Sequence, residues 1–165
     1  MFEGRNLLIA TQHGKEKIIA PIFEKEFGVT CIVNQLFNTD TLGTFSGEIE
    51  RKKDVIDTLR QKCLSAVHHY KCDLVIASEG SFGAHPSVFF LPADEEHLML
   101  LDIKNNLEII ATELSTSTNF NGTYIATEQE LLEFSSNIQF PSHGLILKSD
   151  ENNFSKCYKG ITNEK

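Results

Sequence analysis

The sequence predicts an α/β domain with a mixed central sheet flanked by helices. Its first half alternates short apolar runs with helical patterns, an order typical of parallel strands joined by helices. Its second half contains two apolar runs separated by an asparagine-rich turn at residues 104–106, which is typical of an antiparallel hairpin. The length of 165 residues fits a single core. We therefore expect one domain over residues 1–148 and a polar C-terminal tail over residues 149–165.

In the first half, strands and helices are expected to alternate. Apolar runs predict strands over residues 7–10, 29–33 and 73–77. A helix is expected over residues 15–27, and Pro21 inside it would either kink the helix or mark its first turn. Residues 52–70 carry apolar side chains at helical spacing, which makes this the most secure helix.

In the second half, a long loop over residues 78–96 is expected to precede the hairpin. The hairpin strands and a last strand are expected over residues 97–103, 107–114 and 142–148. Thr127 with Glu130 matches a capping box, which predicts a short helix that ends near Phe134.

The composition restricts the classes of partner. A net charge of −8 and an isoelectric point near 5.2 argue against an extended nucleic acid, which needs clustered basic side chains. No apolar run approaches the length of a membrane span and no leader pattern opens the chain, so we expect a cytoplasmic protein without membrane contact. A small phosphorylated molecule fits the charge, since it needs only a local positive pocket. The sequence is also compatible with a homo-oligomer.

The turn after the first strand, in IATQHGKEK, predicts a phosphate-binding site. A strand that ends in a hydroxyl and enters a helix through Gly-Lys brings backbone amides, the helix dipole and a lysine together. The candidate phosphate ligands are Thr11, His13 and Lys15. The spacing of a Walker A loop is missing, so an ordinary turn with a solvated lysine is the alternative.

Three glutamates are candidate ligands for Mg²⁺ or Mn²⁺. Glu48 and Glu50 precede the long helix in GTFSGEIER, and Glu79 follows the third strand in ASEGSFGAHP. Hard cations take carboxylate oxygens and complete their coordination with water and substrate phosphates. Because ligands lie outside the carboxyl ends of parallel strands, Glu79 is also a candidate catalytic base on water. The alternative for all three glutamates is capping of local backbone amides.

The remaining chemically notable residues are weaker candidates. Further candidates for the same pocket are Arg51, Ser81, His85, Ser142 and His143. Residues 94–96, Asp-Glu-Glu, are expected in a solvated acidic turn. Phe82, Phe89 and Phe90 are expected in the core, with an exposed protein-binding anchor as the alternative.

Together these motifs resemble those of a bacterial family of uncharacterised proteins, a domain of unknown function. The patterns that carry the resemblance are IATQHGKE, GTFSGEIER, ASEGSFGAHP, LPADEE, ELSTSTNF and FPSHGLIL, and they span residues 2–148. This resemblance implies no activity.

A more distant resemblance is to the inosine triphosphate pyrophosphatase superfamily. The turn from Thr11 to Lys15 resembles its phosphate-binding turn, and Glu48 or Glu50 resembles its magnesium-binding glutamate. The pair Glu79-Gly80 resembles the acidic residue beside glycines that ends a strand in that group. Residues 142–143, Ser-His, are similar to a late pair that contacts the base. The resemblance implies that superfamily's fold and a Mg²⁺-dependent nucleotide site.

The leading functional hypothesis is a metal-dependent hydrolase of a nucleotide or another phosphorylated small molecule. Lys15 and nearby amides would hold phosphate, and the glutamates would hold Mg²⁺ or Mn²⁺. The alternatives are a nucleotide- or metabolite-binding module without turnover and a protein-interaction domain.

Overall fold

The computed structural model describes residues 1–11, 14–33, 55–149 and 157–163 of the chain. In chain order the elements are β1 (Asn6–Ala10), α1 (Glu16–Phe27), β2 (Thr30–Val33), α2 (Val55–Tyr70), β3 (Leu74–Ala84), β4 (Pro92–Asp102), β5 (Leu107–Ser115), α3 (Glu128–Asn137), β6 (Leu145–Lys148) and β7 (Cys157–Ile161). The chain divides into two compact units: Met1–Phe82 with Asp94–Ser115, and Gly83–Ala93 with Thr116–Lys165. The single domain expected over residues 1–148 stays a prediction.

The first unit is built on a five-stranded mixed sheet with the order β2-β1-β3-β4-β5. Strand β1 pairs in parallel with both β2 and β3, whereas β4 and β5 form an antiparallel pair. The predicted α/β class with a mixed sheet is therefore confirmed. The inosine triphosphate pyrophosphatase-like arrangement stays a prediction.

Helices α1 and α2 cover opposite faces of this sheet. The chain moves from β1 to β2 in one direction across the sheet and from β2 to β3 in the other, so right-handed connections bring the two helices to opposite faces. On the α1 face the buried core residues are Leu7, Ile9, Val29, Leu74, Ile76 and Leu100. On the α2 face they are Leu8, Ala10, Leu59, Cys63, Ala66, Val75, Ala77, Met99 and Leu101.

Helix α1 matches the predicted helix, with Pro21 inside it. It ends at Gly28, which adopts the left-handed conformation with φ 64° and donates its amide to the Glu24 carbonyl at 3.1 Å. A glycine is favoured there because a Cβ would strain this backbone.

Strands β3 and β4 are longer than expected, and the predicted loop over residues 78–96 is wrong. Only residues 85–91 separate the two strands. The run Glu79 to Ala84 belongs to β3, because pairing with β4 satisfies a backbone whose glycine and serine content is more typical of loops. The loop closes through the His85 amide, which donates to the Leu91 carbonyl at 2.8 Å.

The second unit contains α3 and the two-stranded sheet of β6 and β7. The capping box is confirmed, since Thr127 Oγ1 accepts from the Glu130 amide at 3.3 Å and Glu130 Oε2 accepts from the Thr127 amide at 3.0 Å. Strand β7, Cys157–Ile161, lies in the segment predicted as a polar tail, and it pairs antiparallel with β6. Among the described residues, no helix is long and apolar enough to cross a membrane.

A buried ion pair joins the start of β1 to the end of β4. The Arg5 guanidinium donates to Asp102 Oδ2 at 2.6 Å and to Oδ1 at 2.8 Å, and Arg5 also lies 3.1 Å from Asp73 Oδ1. Asp102 is fully buried and also accepts hydrogen bonds from Asn105. The hydrogen bonds from Arg5 hold the pKa of Asp102 well below its usual range.

We expect Asp102→Ala to lower the free energy of unfolding by about 3–5 kcal/mol, because it leaves the Arg5 side chain without its buried partner. Urea unfolding at neutral pH measures this loss. The matched control is Asp57→Ala, which removes an exposed carboxylate from Arg60 and should cost less than about 1 kcal/mol.

The difference between wild type and Asp102→Ala should also depend on pH. A depressed carboxyl pKa stabilises the fold above its unfolded value of about 4, and this stability is lost as the pH falls towards the folded pKa. The difference in free energy of unfolding between wild type and Asp102→Ala should thus be largest at neutral pH and decrease in acid. A difference that stays constant into strong acid would contradict this assignment.

Candidate functional site

The carboxyl end of β1 lies beside the middle of β3, and the two segments carry neighbouring hydroxyl groups there. Ala10 pairs with Ala77, so the next residues, Thr11 and Ser78, are neighbours. Their side-chain oxygens are 3.1 Å apart, and both residues are buried. Ser78 follows Ile76 by two positions and thus shares its face of the sheet, the α1 face.

Lys15 forms a close ion pair with Glu96 on this same face. Lys15 Nζ lies 2.6 Å from Glu96 Oε1 and 2.7 Å from Oε2, and the two side chains are 32% and 38% exposed. Glu96 stands two residues before Leu98, which packs on the α1 face. The predicted phosphate ligands Thr11 and Lys15 are therefore on one face, but Lys15 is engaged by a carboxylate rather than solvated.

Gly80 allows this ion pair to lie against the sheet. A Cβ at position 80 would stand 2.5 Å from Glu96 Oε1 and 3.5 Å from Lys15 Nζ. The absence of a side chain thus leaves room for the ion pair directly over β3, which is the close approach that glycine permits.

Asp94 adds a second carboxylate to the α1 face. It precedes Glu96 by two residues on β4, so the two side chains point the same way. Its Oδ1 atom is buried and has no hydrogen-bond partner among the described residues. Burial raises the pKa of Asp94, the negative charge of Glu96 raises it further, and the positive charge of Lys15 opposes both effects. We call Thr11, Lys15, Ser78, Asp94 and Glu96 the Lys15 cluster.

Glu79 faces the other side of the sheet. Side chains alternate along β3, so Glu79 follows Ala77 onto the α2 face. Its Oε1 lies 2.6 Å from Nζ of Lys62, a residue of α2, and the two side chains are only 7–8% exposed. The expectation that Glu79 lies in a loop is wrong, and its carboxylate forms a buried ion pair on the face opposite Lys15.

The other predicted site residues do not join the Lys15 cluster or cannot be compared with it. His13, Glu48, Glu50 and Arg51 lie outside the described residues. Ser81 is half-buried in β3 and by alternation shares the face of Glu79.

The three remaining predicted residues belong to the second unit. His85 Nδ1 accepts hydrogen bonds from the Ser87 and Val88 amides, each at 3.1 Å. Ser142 donates to the Gln139 carbonyl at 2.6 Å, and its oxygen lies 3.2 Å from His143 Nδ1. Within their own unit, these contacts organise turns.

The aromatic residues predicted in the core are exposed. Phe89 and Phe90 are 81% and 80% exposed, and Phe82 is at 36%. The core assignment is therefore wrong for Phe89 and Phe90. The short loop over residues 85–91 is held by its own hydrogen bonds, so its apolar side chains need not be buried to define its shape.

The sequence did not predict the roles of four residues on the two faces, namely Lys62, Ser78, Asp94 and Glu96. Asp94 and Glu96 are half-buried strand residues, and the prediction of a solvated acidic turn is wrong. Lys62 and Ser78 belong to the predicted helix and loop and were not predicted as site residues. The sequence contains no period-two signal for Asp94 and Glu96, because residues 98–101 are all apolar and residues 94–96 are all acidic.

The two faces offer different chemistry. The α2 face holds a desolvated lysine–glutamate pair enclosed by a helix, which suits a structural role. The α1 face holds two hydroxyls, a lysine and two carboxylates that are partly open to solvent. Among the described residues, no three His, Cys, Asp or Glu side chains form a metal-binding group. The Lys15 cluster can therefore supply carboxylate ligands only to a cation that takes its other ligands from elsewhere.

We expect Glu79→Gln to lower the free energy of unfolding by about 3–5 kcal/mol, because it leaves the buried Lys62 ammonium without its counter-charge. Chemical denaturation measures the loss. The control is Lys62→Met with Glu79→Leu, which removes both charges and should recover most of the stability. If the double variant were less stable than Glu79→Gln, the charge explanation would fail.

Comparisons with known proteins bear on the family alone. No curated protein matches the chain. Among solved structures, the crystal structure of lipoprotein GNA1162 from Neisseria meningitidis is 10% identical and covers 82% of this chain and 95% of its own, with a TM-score of 0.27. That similarity is too weak to carry an argument. The resemblance to the inosine triphosphate pyrophosphatase superfamily gains no support and stays a prediction. The model of one family matches residues 62–165, and the chain therefore belongs to the domain of unknown function DUF6671.

Proposed function

We propose that the protein binds a small phosphorylated molecule, such as a nucleotide, together with Mg²⁺ or Mn²⁺ at the Lys15 cluster, and hydrolyses it. The observation that carries the proposal is the grouping of Lys15, Glu96 and Asp94 beside two hydroxyls, one just after the end of β1 and one in the middle of β3. The ligand would be a cytoplasmic metabolite.

The position of the cluster in the sheet supports a ligand site. Strand β1 leads through α1 to β2 on one side, while β3 lies on its other side. In open α/β sheets ligands bind at the carboxyl ends of strands where the strand order reverses, and β1 ends at this position while β3 continues beside it to Ala84. The start of α1 directs its backbone amides and the positive end of its dipole to the same end of β1.

The charges of the cluster favour a phosphate that arrives with a cation. Two carboxylates and one lysine leave an excess of negative charge, which repels a free phosphate. Mg²⁺ is typically held by one or two carboxylates plus water and substrate phosphates. Asp94 and Glu96 fit this requirement, and the buried Oδ1 of Asp94 has no hydrogen-bond partner within the described ranges. Glu48 and Glu50 remain predicted ligands.

Each residue of the cluster then has a defined role. Lys15 would exchange Glu96 for a phosphate oxygen, and Asp94 and Glu96 would hold the cation. Thr11 and Ser78 would donate their hydroxyls, and Gly80 would keep the strand open to the ligand. The bound cation supplies charge neutralisation and polarisation of a phosphoryl oxygen. Glu79 is assigned to the fold rather than to the reaction.

The alternative function is binding without turnover. The same cluster would hold the ligand, and the protein would act as a sensor or carrier. Ligand-dependent stabilisation is expected in both cases, whereas product release is expected only for a hydrolase.

We expect nucleoside triphosphates with Mg²⁺ or Mn²⁺ to raise the melting temperature and to be converted to products. A panel of canonical and deaminated nucleotides is tested by thermal denaturation and by release of phosphate and pyrophosphate. Glu96→Gln removes one charged contact and should weaken binding roughly tenfold or more.

The matched control is Glu95→Gln, because Glu95 alternates to the other face of β4 and should leave binding unchanged. Stabilisation without product would establish the binding module. If the folded wild type showed neither effect with any nucleotide, the proposal would be wrong.

A further inference from the structure

Strand β5 is an edge strand with apolar side chains exposed on both faces. Ile109, Ile110 and Leu114 are 45%, 41% and 37% exposed, and the two adjacent isoleucines point to opposite faces. In the described part of the chain, β5 pairs with β4 and with no other strand. One row of its backbone groups therefore has no sheet partner in this part of the chain.

The edge of β5 has few of the features that usually prevent pairing, since two glutamates are its only charged residues. Nine consecutive residues, Leu107–Ser115, pair with β4 in one unbroken register without a bulge. The strand contains no lysine, arginine or proline, which are common protective residues at sheet edges. A long, regular and apolar edge of this kind is a template for another strand.

We propose that the partner strand is β5 of a second copy of this chain, paired antiparallel about a two-fold axis at Thr112. In this register Ile110 lies opposite Leu114 of the second copy, and the contact occurs twice by symmetry. Thr112 lies opposite itself, and threonine pairs are favourable across strands. The sequence Ile-Ala-Thr-Glu-Leu is thus self-complementary around its centre.

The charges of β5 are compatible with this pairing. The strand carries two glutamates, and the register brings neither opposite a glutamate of the second copy. Glu113 lies opposite Ala111. Glu108 is held by the Arg60 guanidinium at 2.8 and 2.9 Å, and this interaction holds the pKa of Glu108 below its usual range. Glu113 of each copy lies diagonally across from Glu113 of the other copy on the same face, so the like-charge repulsion at this edge is confined to that diagonal pair.

The first test is the oligomeric state. Light scattering and sedimentation should show a dimer of the wild-type chain in equilibrium with monomer over a wide range of concentration. The double variant Ile110→Lys with Leu114→Lys brings charge to the contact and should be monomeric, with an unchanged melting profile for the monomer. The control is Ile18→Lys. Ile18 is an exposed isoleucine on α1, away from β5, and its substitution should leave the dimer intact.

A second test fixes the register. Antiparallel neighbours have Cα atoms about 4.5–5.5 Å apart, within reach of a disulfide, whereas diagonal positions are too far apart. Thr112→Cys should form a reducible cross-linked dimer, and Ala111→Cys should not. A wild-type chain that stays monomeric, a dimer that survives both lysines, or cross-linking by Ala111→Cys alone would each overturn the proposed dimer.

Discussion

The alternation of side chains along β3 determines which polar residues can act together in this molecule. Glu79 and Gly80 are adjacent in sequence, yet one projects towards α2 and the other opens space on the α1 face. The strand continues through both residues because β4 pairs beside it. A loop at this point would have allowed Glu79 to approach Lys15, and the strand separates them by the thickness of the sheet.

Each face of the sheet carries a lysine–glutamate pair, and the two pairs differ in solvent contact. The Lys62–Glu79 pair is almost fully buried, so its charges have no replacement partner in water and must stay together. The Lys15–Glu96 pair is about one-third exposed, and water or a ligand can replace either partner. The same chemistry therefore stabilises the fold on one face and remains exchangeable on the other.

Sequence reasoning succeeded where one local pattern agrees with the tertiary structure. The helical spacing of α2, the capping box at Thr127 and the asparagine-rich turn of the hairpin each predict their element. The secondary-structure prediction was wrong where hydrogen bonding between strands outweighs the local preferences of the amino acids. The glycines and serines of β3 are typical of a loop, but hydrogen bonds to β4 hold them in a strand. The candidate site was predicted in part. The turn after β1 predicts Thr11 and Lys15 as ligands. The role of Glu96 depends on the pairing of β4 with β3, which places its carboxylate over Gly80.

At the proposed site, the ion pair between Lys15 and Glu96 would favour ligands that carry both a positive and a negative charge. A simple anion that takes Lys15 must leave Glu96 uncompensated next to Asp94, and a simple cation that takes Glu96 must leave Lys15 uncompensated. A ligand that carries both a positive and a negative charge would replace both partners and leave neither Lys15 nor Glu96 uncompensated. The proposed site would therefore bind ions of a single charge more weakly than a ligand that carries both charges, because one salt bridge lies over the backbone of Gly80.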